Sequence, residues 1–153
     1  MKPILIAAAL LIATAAPLTA LGAGKVEVLQ PWSRPAVAGT TGIGYMVLAN
    51  HGPVADALEK VESPLAARVE MHSSSMSGGV MTMRREDRVE VPAGGRTTFG
   101  PGAYHLMLIG LTRTLKAGDQ APATLSFASG AKVKVVFQVT DGRAPAPMAG
   151  MAR

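Results

Sequence analysis

The run Tyr104-His105-Leu106-Met107-Leu108-Ile109-Gly110-Leu111 sets leucines at positions 106 and 108, with a histidine and a methionine alternating with them. Successive side chains of a strand face opposite sides. As a strand, the run sends Leu106 and Leu108 into a core while His105 and Met107 point together at one spot on the other face. No sustained helical period competes with this reading elsewhere in the chain.

Working outward, Arg68 to His72 (RVEMH) is a second alternating strand and Val80 to Arg84 (VMTMR) its return, closed around Gly78-Gly79. The intervening Ser73 to Gly79 reads as a flexible loop. Further strands are expected at Lys25 to Gln30, Ile43 to Ala49, Arg88 to Val91, Thr97 to Phe99, Ala123 to Phe127 and Lys132 to Val139. Pro31-Trp32-Ser33-Arg34-Pro35 is expected to break the first of these, and Ala55 to Val61 has room for a helical turn. Asn50 to Pro53, Pro92 to Gly95, Gly100 to Gly102, Lys116 to Asp119 and Ser129-Gly130 supply the turns. Seven or more short strands predict an all-β domain, a sandwich or Greek-key β-barrel. No internal repeat or linker divides it.

The ends read differently. Met1-Lys2-Pro3, then an uncharged apolar run from Ile4 to Ala16 and small residues at Ala20 and Gly22, has the build of a signal peptide over residues 1–22. Pro17 makes the run short for a membrane span. The β domain is then expected over 23–142, and 143–153, with Met148 and Met151, as a disordered tail. Export with cleavage of the leader is expected.

The 153 residues contain no cysteine. That excludes c-type haem attachment, thiol redox pairs, cysteine zinc sites and blue-copper centres, and leaves stability to burial and sheet pairing. The formal net charge of +5 falls to +4 once Lys2 leaves with the leader. Arg84, Arg85 and Arg88 form the one basic cluster, but Glu86 and Asp87 interrupt it and no aromatic residue is interleaved, which argues against nucleic acid as a partner.

Nine methionines stand against three histidines, and their placement is uneven. Met71, Met76, Met81 and Met83 crowd the hairpin around His72, while Met107 stands two residues from His105. Met71 alternates with Val69 and is expected in the core. Met81 shares a face with Met83, where it either shields a site or packs; Met76 is expected to do little. A thioether is a soft, neutral donor, so a mixed Met and His set points to one Cu(I) ion rather than to zinc, calcium or magnesium. Such a site weakens as pH falls through the imidazole range, because each histidine must be neutral to bind. His51 is expected to be solvated, Trp32 and Tyr45 to be packing residues, and Arg34 either to pair with a carboxylate or to help a partner dock. No acid–histidine–nucleophile arrangement supports hydrolysis.

The intervals are His72, ten residues, Met83, twenty-one residues, His105, one residue, Met107. This pattern, with its flanks Val69-Glu70-Met71-His72, Met81-Thr82-Met83-Arg84 and Pro101-Gly102-Ala103-Tyr104-His105-Leu106-Met107-Leu108, resembles the signature of the periplasmic PCuAC copper chaperones. The resemblance runs from about Val26 to Val139. It implies a cupredoxin-like β-barrel, a non-enzyme, that ligates Cu(I) with His72, Met83, His105 and Met107. It further implies a periplasmic location and delivery of copper to the assembling copper centres of cytochrome c oxidase, with an oxidase subunit or a Sco-like protein as acceptor. Membrane contact is expected only through that acceptor, and the protein is expected as a monomer. Copper storage or resistance, or copper-dependent redox chemistry, is the alternative. Met71 departs from the aliphatic residue expected there, and a tail without histidine argues against a second, Cu(II)-binding tail site.

Overall fold

The computed structural model describes residues 25–145. The expected leader, its cleavage point and the tail methionines lie outside them. Within them the regular elements are ten strands: β1 (Val26–Ser33), β2 (Gly42–Asn50), β3 (Asp56–Glu62), β4 (Ala66–Ser77), β5 (Val80–Glu86), β6 (Val89–Val91), β7 (Arg96–Phe99), β8 (Tyr104–Leu111), β9 (Gln120–Phe127) and β10 (Lys132–Val139). The all-β expectation holds, and the strands form one hydrogen-bonded sheet in the order β5-β4-β8-β7-β2-β1-β10-β9-β3-β6, with β8 also pairing β2. The sheet rolls up in a cupredoxin-like fold, so that residues far apart in this order share one core.

Simple alternation builds that core. On β10, Val135, Phe137 and Val139 are buried while Lys134, Val136 and Gln138 are exposed; on β9, Ala121, Ala123, Leu125 and Phe127 are buried. Leu106 and Leu108 of β8, Met46 and Leu48 of β2, Phe99, Val89 and Val91 complete it. Met71 joins them, 5% exposed, as its alternation with Val69 implied.

Three local expectations are corrected. Pro31 does not end β1. The ladder to β2 shifts register between Leu29 and Trp32, with Gln30 at a φ of 47°, and resumes as Trp32 opposite Tyr45. A bulge residue is unpaired, so the N–H that proline lacks is not missed there. Ala55 to Val61 is not a helical turn. It lies in β3, paired with β6 and β9, and the register shift between Leu58 and Lys60 is what turns both Leu58 and Val61 inward at a helix-like spacing. Ser73 to Gly79 is not a loop either: β4 continues to Ser77, and only Gly78 and Gly79 turn.

That last turn requires glycine. Gly78 and Gly79 both have positive φ, 57° and 79°, which is the two-residue type I′ geometry whose twist matches a hairpin. Past Ser73 the hairpin loses its third strand, because β8 pairs β4 only from Ala66 to Ser73. The Ser74 amide still donates to the Ala103 carbonyl at 3.1 Å, and Ser75 to Thr82 beyond it is a free two-stranded ribbon.

Candidate metal centre

The registers of β5, β4 and β8 place the four predicted ligands. His72 lies directly opposite His105, and Glu70 opposite Met107. On the other side of β4, Ser74 lies opposite Met83 and His72 opposite Arg85. Because alternate residues share a face, His72, Met83, His105 and Met107 all emerge on the same side of this three-stranded unit, with Leu106 and Met71 on the other. His72 is the hub. It pairs squarely with His105, the ring centroids 5.8 Å apart, and stands diagonal to both Met107 and Met83, within reach of long side chains. The four span two strand spacings, about 10 Å.

Burial grades sharply across the unit. His105 is 5% exposed, His72 and Met107 are intermediate, and Met83 is 56% exposed. Neither Met83 nor Met81, 52% exposed, is core filling, which settles the packing alternative for Met81. One end of the cluster is held in the protein and the other is open to exchange.

Hydrogen bonds assign the imidazole nitrogens. The Nδ1 of His105 lies 3.3 Å from the Ala103 carbonyl. A carbonyl only accepts, so Nδ1 carries a proton, which in a neutral ring leaves the lone pair on Nε2. The Nε2 of His72 lies 3.0 Å from the Glu70 carboxylate. Hydrogen bonding from His72 and then Arg68, with Arg85 nearby, holds that carboxyl down at about 2, so Glu70 is ionised and accepts. His72 therefore donates from Nε2, which in a neutral ring leaves the lone pair on Nδ1. The Glu70 side chain, only 15% exposed, also takes Arg68 Nε at 2.9 Å and faces Arg85 at 3.7 Å.

Glu70 was absent from the predicted site. Its signal was available, since it sits two residues before His72 on the same strand face, the relation that links His105 to Met107. Among the described residues no three His, Asp or Glu side chains converge on a point where they could hold a metal ion, so a site here has to recruit thioethers.

The family model described as "Putative lipoprotein LpqE-like" matches residues 26–139, all ten strands. The chain belongs to the LpqE-like family. A relative named "Putative lipoprotein Lxx21020", from Leifsonia xyli subsp. xyli (strain CTCB07), is 29% identical over 120 residues, which span 78% of the chain and 72% of that relative. Among solved structures, the copper-bound PCuAC domain of PmoF2 is 28% identical, with a TM-score of 0.65 over 80% of the chain and 96% of that domain. The Cu(I) form of DR1885 from Deinococcus radiodurans is 25% identical, with a TM-score of 0.60 over 83% of the chain and 85% of that protein. The resemblance to PCuAC domains read from the ligand spacing is thus borne out at the level of the fold.

Other features of the LpqE-like chain do not include the four predicted ligands. A groove of about 460 Å³ between β3 and β4 reaches Glu70 but none of the four predicted ligands. His51 is exposed and pairs with Glu27 at 2.8 Å. Trp32 and Tyr45 are buried against each other with centroids 4.6 Å apart, and the Arg34 guanidinium sits 5.7 Å over the Tyr45 ring rather than on a carboxylate. Ile43 pairs with Met107 on β8, and Tyr45 follows two residues later on the same face of β2.

Proposed function

We propose that this protein is an exported carrier that holds one Cu(I) ion as cargo through His72, Met83, His105 and Met107 and passes it on without chemistry of its own. The observation that carries the reading is the shared face of β5, β4 and β8, which presents two imidazoles and two thioethers around a directly opposed His72–His105 pair. Soft, neutral donors favour a soft monovalent ion. The local charge agrees: Glu70 is offset by Arg68 and Arg85, which suits one added positive charge better than two. Free lone pairs on His72 Nδ1 and His105 Nε2 supply the nitrogen donors, and each second nitrogen is held by a neighbour, the usual support of a ligating histidine.

The graded exposure supports a carrier rather than a resident cofactor site. A donor as open as Met83 can leave first and admit an acceptor's ligand while the histidines still hold the ion. The copper-bound PmoF2 and DR1885 structures support the cargo; the lipoprotein name of the Leifsonia relative and the basic, then apolar, N-terminus support export to the periplasm with cleavage of the leader. Delivery to a cytochrome c oxidase copper centre, directly or beside a Sco-like protein, is the destination that the PCuAC resemblance supports.

Titration of the apo-protein with Cu(I) against a competing chelator tests the carrier reading. One tight site is expected, lost in the Met83→Ala/Met107→Ala variant; unchanged binding in that variant refutes it. Transfer from the loaded protein to an isolated oxidase copper domain tests the destination. Sustained oxygen consumption by the loaded protein with a reductant would instead favour a redox enzyme.

A further inference from the structure

Seven large apolar side chains are exposed among the described residues, and four of them, Met76, Val80, Met81 and Met83, stand on the β4–β5 hairpin. The concentration is not what a sheet edge needs. Exposed ribbon positions are ordinarily filled by polar or β-branched residues, and methionine offers neither advantage. We propose that Met76 and Met81, with Met83 as a shared arm, form an outer thioether site that captures Cu(I) and passes it inward to the His72–His105 pair. The proposal rests on the copper reading of the inner cluster and assigns a separate site to it.

Geometry brings the sulfurs together. Met76 lies directly opposite Met81, one pair in from the Ser77–Val80 pair that closes on Gly78 and Gly79. Counting the antiparallel alternation from that closing pair makes Met76–Met81 a non-hydrogen-bonded pair, the kind in which side chains approach most closely, with Cα atoms about 4.5 Å apart. Met83 is two residues from Met81 on the same strand and diagonal to Met76, so all three thioethers share a face, and it is the face of His72, His105 and Met107.

The surroundings select the ion. From Ser74 to Met83 the sequence is Ser-Ser-Met-Ser-Gly-Gly-Val-Met-Thr-Met, with no charged side chain. The tip offers hydroxyls and thioethers only, so hard or borderline cations find no carboxylate or imidazole there, while a soft monovalent ion finds two or three sulfurs. The three tip methionines are all open, 65% at Met76, 52% at Met81 and 56% at Met83, while His105 at the inner end is 5% exposed. A site of thioethers alone exchanges quickly, and each inward step adds a donor: Met83 first, then the two imidazoles. The ion moves by ligand exchange at constant oxidation state, with no proton or electron required. Four residues of strand separate His72 from Met76, about 13 Å, a distance that Met83 divides.

The competing use of a methionine patch is as an adaptable protein-docking surface, and metal titration separates the two. The full-length protein, labelled with 13C at the methionine methyls, is titrated anaerobically with Cu(I). The first equivalent is expected to move Met83 and Met107, and the second to move Met76 and Met81 in fast exchange. Met76→Leu/Met81→Leu, which removes two sulfurs and no inner donor, is expected to keep the inner affinity at equilibrium and to slow Cu(I) uptake from a chelator about tenfold or more, by removing ion held beside its destination. Met76 and Met81 methyls that stay still beyond the first equivalent, or an uptake rate unchanged in the variant, would overturn the outer site and leave the surface to protein docking. Failure of the inner reading looks different: Met107 would stay still at every ratio.

Discussion

Replacing both turn glycines, Gly78→Val with Gly79→Val, isolates the contribution of hairpin geometry to Cu(I) binding without touching a donor atom. Both residues sit at positive φ, 57° and 79°, a region that costs an ordinary L-residue roughly 1–2 kcal/mol each and a β-branched one at least as much. The double variant therefore carries about 2–4 kcal/mol of strain in the turn. Beyond the Ser74–Ala103 hydrogen bond the ribbon has no third strand to hold it, and an isolated two-stranded hairpin is marginally stable at best. It opens rather than bear the strain. Met83 then spends most of its time away from His72, and the apparent affinity falls by the lost population of the competent state. At 1.4 kcal/mol per tenfold the loss is about 30-fold to several hundred-fold, capped by whatever Met83→Ala alone costs. Competition titration with a Cu(I) chelator measures it. The thermal midpoint should stay close to that of the parent, because the β4–β8 pairing and the core lie outside the ribbon. If the turn variant binds Cu(I) as tightly as the parent while Met83→Ala does not, the register of the hairpin is not what positions Met83, and the argument from strand pairing fails.

Other perturbations report on the remaining parts. Glu70→Gln keeps the shape but removes the charge that fixes the His72 tautomer, and is expected to weaken Cu(I) binding about 10- to 100-fold, with the His72 ring nitrogens shifting in 15N spectra of the apo-protein. Leu106→Ala empties a fully buried position behind His105 and should cost about 2–5 kcal/mol in urea unfolding. Asp56 is buried, which alone would raise its pKa, but hydrogen bonds from the Ser129 hydroxyl at 2.6 Å and from the Ala57 and Ser129 amides lower it below its ordinary 3.8. A depressed carboxyl pKa stabilises the fold above the unfolded value and loses that contribution as pH falls through the folded one. Asp56→Asn should therefore lower the thermal midpoint at neutral pH, and the gap to the parent should close as pH drops below about 4.

What was legible in the sequence was whatever burial had written into it. β9, β10 and β8 alternate because one face of each meets the core, and the same alternation puts His105 and Met107 on one face. Where burial is absent or the period is broken, the reading fails. Ser73-Ser74-Ser75-Met76-Ser77 looks like a loop because both faces of the ribbon meet solvent, so no apolar period marks it as strand. Ala55 to Val61 imitates a helical turn because a bulge shifts its inward residues from a spacing of two to one of three. Glu70 is silent in the ligand pattern for a chemical reason: a hard carboxylate is no donor for a soft ion, and two residues from His72 it binds the imidazole instead.

The hairpin also explains why the interval between His72 and Met83 carries information that composition does not. With Gly78 and Gly79 as the turn, Ser77 meets Val80 and every pair further in is set, so that His72 meets Arg85 and Ser74 meets Met83. A methionine at 83 or 85 shares the face of His72; one at 82 or 84 lies on the opposite face, out of reach whatever its sulfur could bind. Ten intervening residues thus encode a strand length, a two-residue turn and a face together. Adding one residue to the strand before Met83, while the turn stays in place, would keep every donor atom in the sequence and move Met83 to the wrong side of the sheet. That variant should bind Cu(I) as weakly as Met83→Ala, and a restored affinity on adding a second residue would show that parity, rather than proximity in sequence, is what the interval specifies.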